Sequence, residues 1–299
     1  MVTFIKTISD FSKAGDYPRP KHPYLALVKI ENVGDRINLM PKEISLGFHT
    51  IGLKKNLKGY LKYGRKTYDF QEGVLAFTAP HQVISFDNLI VDESAGWYLF
   101  FDKALLSDTS LSEKFDRYSF FNYNINEALH LSQEEEIHMD EIFHSLFNEY
   151  NKSIDALSKQ LLVNHLEMIL TYSERYYNRQ FITRKDGETS FLRRFEEILQ
   201  GLCSLENLSS SGIPTVRLVA EEMHLSANYL SDAIRNATGM STQKHIHLRL
   251  VELAKEQLLV NSQSVSEVAF KLGFESHTYF SRLFKKLEGI TPKEYIELN

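Results

Sequence analysis

The chain has a single cysteine, Cys203, among its 299 residues. One thiol excludes a disulfide framework and leaves a zinc finger without its ligands. Cys203 therefore reads as a small hydrophobe in or near a helix. Long apolar runs are also missing. The opening stretch, MVTFIKTISDFSKAGDYP, lacks the continuous apolar core of a secretory leader. No stretch approaches the roughly 20 apolar residues that cross a bilayer. Both absences point to a cytoplasmic protein with no membrane partner. Positive charge is not in excess either. The 34 Lys and Arg face 39 Asp and Glu, for a net charge of −5. From Glu206 to Asn299 there are 10 basic and 11 acidic residues. Catalytic signatures are lacking: no paired carboxylates, no nucleophile elbow, no metal triad. His22, His49 and His81 are isolated. The pair His245 and His247 lies on a helix, where positions i and i+2 do not face one ion. Neither a metal nor another cofactor is expected, and enzymatic activity is not.

What is present is an ordinary globular composition, 43% hydrophobic and 24% charged, at a length that suits two domains. The chain is organised around Thr242 to Val260, a run without Gly or Pro that reads as one helix. The pattern before it, VAEEMHLSANYLSDAIRNATGMS from Val219, returns after it as VAFKLGFESHTYFSRLFKKLEGIT from Val268. Val219 and Ala220 match Val268 and Ala269 at a shift of 49 (268 − 219). Tyr229, Ser231 and Gly239 match Tyr279, Ser281 and Gly289 at a shift of 50 (279 − 229), so the later turn has one extra residue. Such a repeat fixes architecture. Two copies are too few for a solenoid, and the pattern predicts two helical units held apart by a rigid spacer.

Each copy has helix-turn-helix grammar. The first helices are short, Val216 to Met223 and Val265 to Leu272. Ser226 and Ser276 then stand as N-caps. The second helices run to Thr238 and Glu288, where Gly239 and Gly289 supply the left-handed residue that ends a helix. Leu230, Ala233, Ile234 and Ala237 fall on one stripe, as do Phe280, Leu283, Phe284 and Leu287. The opposite faces carry Asn228, Ser231, Asp232 and Arg235 in the first copy, and His277, Thr278, Ser281, Arg282 and Lys285 in the second. Arg suits guanine edges, Asn suits adenine, and Ser or Thr serves either. Arg282, Lys285 and Lys286 form a basic cluster, with Lys293 and His277 nearby. A solvated polar face is the plain alternative for either copy alone; matched caps and breaks in both copies argue against it.

The duplicated unit, the long joining helix and the closing F-S-R-L-F-K-K…G-I-T-P-K-E-Y-I run resemble the DNA-binding domain of the AraC/XylS family of bacterial transcription regulators. The resemblance covers Pro214 to Ile296, and Phe280 to Ile296 carries its most specific part. By position, Asn228, Ser231 and Asp232 fall where the family's first helix reads bases, and His277, Thr278, Ser281 and Arg282 where its second does. Asp232 departs from the basic or amide residue often found there. Ile296 stands where the family often has Arg, which removes one phosphate partner. The resemblance implies a nucleoid-associated regulator, commonly an activator, with RNA polymerase and a small-molecule effector as further partners. At about 28 Å for 19 residues, the spacer is of the order of the ~34 Å between successive major grooves on one DNA face.

In chain order, Met1 to Pro23 reads as an irregular arm. Strands are predicted at Tyr24–Ile30, Ile44–Leu53, within Lys58–Gly64, at Lys66–Phe70, Gly73–Thr78, Gln82–Phe86 and Gly96–Phe101. Many short strands predict a cupin-like β-barrel. A barrel metal is not expected, but a barrel mouth suits a small ligand. Tyr60, Tyr63, Tyr68, Phe70 and Trp97 are candidate lining residues. Gln133–Tyr150, capped by Ser132, and Ser153–Asn178 are predicted helices. The apolar stripe of the second is broad enough to meet another chain, so a homodimer through 133–178 is expected. Phe181–Glu188 reads as a connector, Phe191–Leu202 as a helix and Leu205–Pro214 as a flexible linker.

The fold expected is α+β: a cupin-like barrel with a helical pair, then an all-α domain of two helix-turn-helix units on a long helix. The domains are 1–180 for sensing and dimerisation, 181–213 for helix and linker, and 214–299 for double-stranded DNA. The function expected is a sequence-specific transcription regulator. Two rivals stay open, a cupin-type enzyme with a helical accessory domain and a helical protein-interaction adaptor.

Overall fold

The computed structural model describes residues 2–32, 36, 39–55, 60–63, 66–69, 73–85, 95–124, 127–183, 185–259 and 263–298. It is α+β and divides into two compact units, Met1–Gln180 and Phe181–Asn299. The first unit carries β1 (Thr3–Ile5), α1 (Ile8–Ala14), β2 (Leu25–Lys29), β3 (Glu43–Leu46), β4 (His49–Lys55), β5 (Tyr60–Tyr63) and β6 (Lys66–Asp69). It continues with β7 (Val74–Thr78), β8 (Val83–Ser85), β9 (Ala95–Phe101), α2 (Ser110–Lys114), β10 (Leu129–His130), α3 (Gln133–Asn151) and α4 (Ser158–Thr183). Among the described residues no helix is long and apolar enough to cross a membrane.

Five strands form one antiparallel sheet in the order β10-β7-β4-β9-β2, and β1-β3-β8 form a second. β5 and β6 pair as a hairpin, Tyr60 opposite Asp69. Among the described residues the sheets stay separate, so the closed barrel expected from the strand count is replaced by open sheets. Strand β4 is central and buried on both faces until Lys55. Its register with β9 sets Ile51 opposite Leu99 and Leu53 opposite Trp97 on one face, and Thr50 opposite Phe100 and Gly52 opposite Tyr98 on the other. The first face supports helix α3. Trp97 donates its indole N–H to Asp140 at 2.7 Å and stacks towards Phe143. Trp97 therefore lies on the helix side and not in a ligand cavity. The side chains of Tyr60, Tyr63 and Tyr68 and all of Phe70 lie outside the described residues.

Two readings of this region need correction. The stretch Ile44–Leu53 is not one strand: β3 and β4 belong to different sheets. The break falls at Gly47, whose N–H donates to the Ile5 carbonyl at 2.9 Å. A Cβ there would stand 2.4 Å from the Lys6 carbonyl oxygen, so only glycine fits. The N-terminal arm is not irregular. β1 pairs in parallel with β3, and α1 is capped by Thr7, which accepts from Asp10 N–H. Ile5, Ile8 and Phe11 are buried there, which ties the arm down.

Helix α3 begins with a full capping box: Ser132 accepts from Glu135 N–H, and Glu135 accepts from Ser132 N–H. Met139, Ile142, Phe143 and Leu146 are buried, whereas Ile137 is exposed. Helix α4 starts later than expected. Ile154 and Leu157 precede it, 70% and 64% exposed.

The second unit holds α5 (Lys185–Leu202), α6 (Leu205–Ser211), α7 (Val216–Met223), α8 (Ala227–Thr238), α9 (Thr242–Leu258), α10 (Val265–Lys271), α11 (His277–Glu288) and α12 (Pro292–Leu298). The helix expected at Phe191–Leu202 is present and begins earlier, at Lys185, within the stretch read as a connector, and the linker expected over Leu205–Pro214 is mostly helical. Ser204 caps α6 by accepting from Asn207 N–H, and Leu208 buries itself in the unit's core. Serine composition suggested a loop; capping and one buried leucine overrode it. Cys203 is buried in the same core, and burial pushes its thiol up to about 11. The spacer helix ends at Leu258, short of the expected Val260, which is outside the described residues.

His49 sits among the rings of Phe101, Phe115 and Phe121, each about 5 Å away. Among the described residues its buried Nδ1 has no hydrogen-bond partner. Burial, helped by Lys103, pushes its pKa down to about 4. A depressed histidine contributes stability that is complete above its unfolded pKa of about 6.5 and is lost as pH falls towards 4. Between pH 7 and 5 this one group should cost on the order of 2 kcal/mol. Urea unfolding at both pH values should show His49→Leu losing less stability than the wild type over that interval. Equal losses would remove His49 from the account.

Candidate nucleic-acid interface

The two helix-turn-helix units close their turns in the same way. Leu225 N–H donates to the Ala220 carbonyl at 2.8 Å, and Phe274 N–H to the Ala269 carbonyl at 3.0 Å. Each turn needs one left-handed residue, His224 at φ 60° and Gly273 at φ 78°. The new helix is then capped by serine: Ser226 accepts from Tyr229 N–H at 3.2 Å, and Ser276 from Tyr279 N–H at 3.4 Å. Gly239 and Gly289 end α8 and α11 in the left-handed region.

One core holds both units. Leu230 and Ile234 of α8, and Phe280, Leu283 and Phe284 of α11, all join it. Between them α9 contributes Ile246, Leu250, Val251, Leu253, Ala254 and Leu258. Lys255 of α9 also pairs with Glu288 of α11 at 3.1 Å. At 17 residues α9 is about 25 Å long.

The faces away from this core carry the polar candidates. In α8, Asn228 and Arg235 are exposed, and Ser231 and Asp232 are half-buried. The Ser231 hydroxyl donates to the Ala227 carbonyl at 2.7 Å, so towards solvent it presents lone pairs. In α11, His277, Thr278, Arg282, Lys285 and Lys286 are exposed and Ser281 is half-buried. The two helices thus differ in charge: α8 sets one Arg beside one Asp, while the outer face of α11 carries three cations. They differ in one ring as well. Tyr229 is 1% exposed and meets Phe181 edge-on, whereas Tyr279, its counterpart in the repeat, is 52% exposed. Tyr279 lies beside His277 and Thr278 and was not among the predicted site residues. Its signal in the sequence was an aromatic off the apolar stripe of α11.

Residues 219–297 match a family described as a helix-turn-helix domain. The C-terminal module belongs to the AraC/XylS type. Among relatives, the HTH-type transcriptional regulator YtdP of Bacillus subtilis is 35% identical over 81 residues, 27% of this chain and 10% of that protein. The HTH-type transcriptional activator RhaR of Pectobacterium atrosepticum is 37% identical over 76 residues, 25% of this chain and 26% of that protein. The chain therefore spans only a small part of the length of these curated relatives. The solved C-terminal domain of the response regulator yesN from Fusobacterium nucleatum is 32% identical, covers 34% of this chain and 96% of that one, and has a TM-score of 0.30.

The AraC/XylS-type module is braced at its second turn by helix α6. A Cβ on Gly273 would stand 2.9 Å from both the Gly212 Cα and the Leu208 carbonyl oxygen. Ser209 adds a bond from its hydroxyl to the Lys271 carbonyl at 3.2 Å. Elsewhere, among the described residues, no cluster of three or more His, Cys, Asp or Glu could hold a metal.

Gly239 is also left-handed, but a Cβ there meets nothing within 4 Å. Gly239→Ala should therefore cost only the backbone strain, about 1–2 kcal/mol. Gly273→Ala should cost clearly more, because crowding adds to strain. Denaturant unfolding followed by helical circular dichroism measures both; equal losses would mean that α6 does not constrain the turn.

Proposed function

We propose that the chain is a sequence-specific DNA-binding transcription regulator. The observation that carries this reading is the sharing of one core, through α9, by two helix-turn-helix units whose polar faces look outward. Each second helix would enter a major groove. Base readers would be Asn228, Ser231 and Asp232 in α8, with Arg235 towards the backbone, and His277, Thr278, Ser281 and Arg282 in α11. Asp232 suits a cytosine amino group. Lys285 and Lys286 would neutralise phosphates, and Tyr279 would add an apolar contact beside them.

Phosphate neutralisation supplies much of DNA affinity. A module with a single basic helix face should bind weakly alone, and two copies on one site would gain through effective concentration. The exposed apolar residues Leu157, Leu161 and Met168 support a homodimer through the α3–α4 region of 133–178. The first unit would be the cupin-like sensing domain for a small effector, with 214–299 as the DNA-binding domain. A relative named as an activator supports activation, with RNA polymerase as partner. The protein would work on the bacterial nucleoid in the cytoplasm, without enzymatic activity or a cofactor.

Selection from a randomised duplex library, followed by gel shift, tests the reading. Arg282→Ala should weaken binding to the selected site by about 1–3 kcal/mol and relax one base position. No enrichment of any sequence would overturn sequence-specific binding, and unaltered selectivity would remove Arg282 as a reader. For the dimer, light scattering of the full chain should report twice the monomer mass, and Leu161→Glu should lower it. A wild-type chain that stays monomeric at micromolar concentration would refute the pairing.

A further inference from the structure

Helix α9 is not the only connection between the two helix-turn-helix units. Helix α5 packs on α7 of the first unit, and helix α6 packs on α10 of the second. The two follow each other directly across Cys203 and Ser204. Phe195, Leu199 and Cys203 recur every fourth residue along one side of α5, and all three are buried in the shared core. Leu208 of α6 joins them at 1% exposure. Together α5 and α6 form a strap from one unit to the other, and α5 also touches α9 on the way.

A helix as short as the 7 residues of α6 does not hold its own shape in water, so α6 sits where its ties place it. Ser204 caps its start, and the Asn207 side-chain amide donates to the Gly201 carbonyl at 2.8 Å, which fixes α6 to the end of α5. At the far end Gly212 turns left-handed, at φ 76°, with its backbone against the turn at Gly273. Glycine facing glycine brings the two backbones closer than a side chain on Gly273 would allow. The Ser209 hydroxyl reaches the Leu205 carbonyl at 2.7 Å and the Lys271 carbonyl at 3.2 Å. Lys271 is the last residue of α10, where carbonyls have no partner inside the helix. A single connecting helix sets a separation but lets each unit rock about its end. A second connection closes the frame, because rocking must then pull Leu208 out of the core or part the two glycines.

We propose that α6, through Leu208, Ser209 and Gly212, is a positioning element that fixes α11 relative to α8, so that the module accepts one separation and phase of the two DNA subsites it reads. This rests on the reading of the chain as a DNA-binding regulator. One base pair more or less between the subsites moves one of them by about 3.4 Å and about a tenth of a turn. A closed frame does not follow that movement, and the duplex has to deform instead, at a cost of its own.

The test uses the full chain and the site selected for it from a randomised duplex library. One base pair is then inserted or removed midway between the two subsites of one module, and affinities are measured by gel shift. The wild type should bind the altered spacings about tenfold more weakly, or worse. Leu208→Ala combined with Ser209→Ala loosens the strap and should reduce that ratio to about threefold or less. Gly273→Ala pushes α6 away from the opposite side and should do the same, which keeps the test open if the double variant does not fold. Lost stability alone weakens binding at every spacing alike, so the ratio separates positioning from a merely structural role. A wild type that accepts all the spacings equally overturns the proposal, and so does an unaltered ratio in either strap variant, shown by circular dichroism to be folded. Both of those outcomes leave the DNA-binding reading standing. A library from which no site is enriched overturns that reading, and the proposal with it.

Discussion

The second unit depends on the burial of α9. Its residues Ile246, Leu250, Val251, Ala254 and Leu258 are nearly or wholly inaccessible. A helix buried along its length cannot rotate or slide without breaking contacts at both ends. The first helix-turn-helix unit reaches this core through Leu230 and Ile234, the second through Phe280 and Phe284. Burying side chains of this size contributes on the order of 1.5–3 kcal/mol each. The spacing of the two outward faces is therefore set by core packing.

That division explains why the two copies resemble each other inside and differ outside. Val219 and Val268, Ala220 and Ala269, and Ile234 and Phe284 occupy matching buried places. The turns need one left-handed residue each, and here the copies diverge for a local reason. At Gly273 the backbone of α6 comes too close for any side chain. At His224 no such contact forbids one, and histidine meets the conformation at a strain of about 1–2 kcal/mol. The outer faces lie off the core stripe, and there the copies diverge in charge: Arg235 beside Asp232 in one, three cations in the other.

Most of the second unit was legible in the sequence because its signals are local. Capping serines, terminal glycines and 3/4 spacing of apolar residues all act within one or two turns of helix, and α7, α8 and α11 begin and end where those signals place them. The errors came where a distant contact decides. Ser204 to Ser211 looks like a linker until Leu208 is seen in the core. Gly47 looks like a tolerated glycine within a strand until the Lys6 carbonyl stands over it. Reading Ile44–Leu53 as one strand also hid the inner face of β4, since the bend at Gly47 and Phe48 moves the chain from one sheet to the other. Tyr279 was missed because its partner in the repeat, Tyr229, is a core residue.

Lys54 shows the same limit in its strongest form. A lysine near the end of a strand ordinarily marks a solvated edge. It becomes a buried residue because β4 is flanked by β7 and β9 and faces β3, β8 and α1, and of these only β3 is its neighbour in the chain. Burial draws its pKa down to about 8. Each parity of β4 thus has its own work. His49, Ile51 and Leu53 pack into the core that supports α3 and the aromatic segment at Phe115 and Phe121, whereas Thr50, Gly52 and Lys54 line a space. A strand that served stability alone would carry apolar residues on both faces. A hydroxyl, a bare backbone and an ammonium on the inner face give up packing that the opposite face retains, so the two faces of one strand are built to different rules.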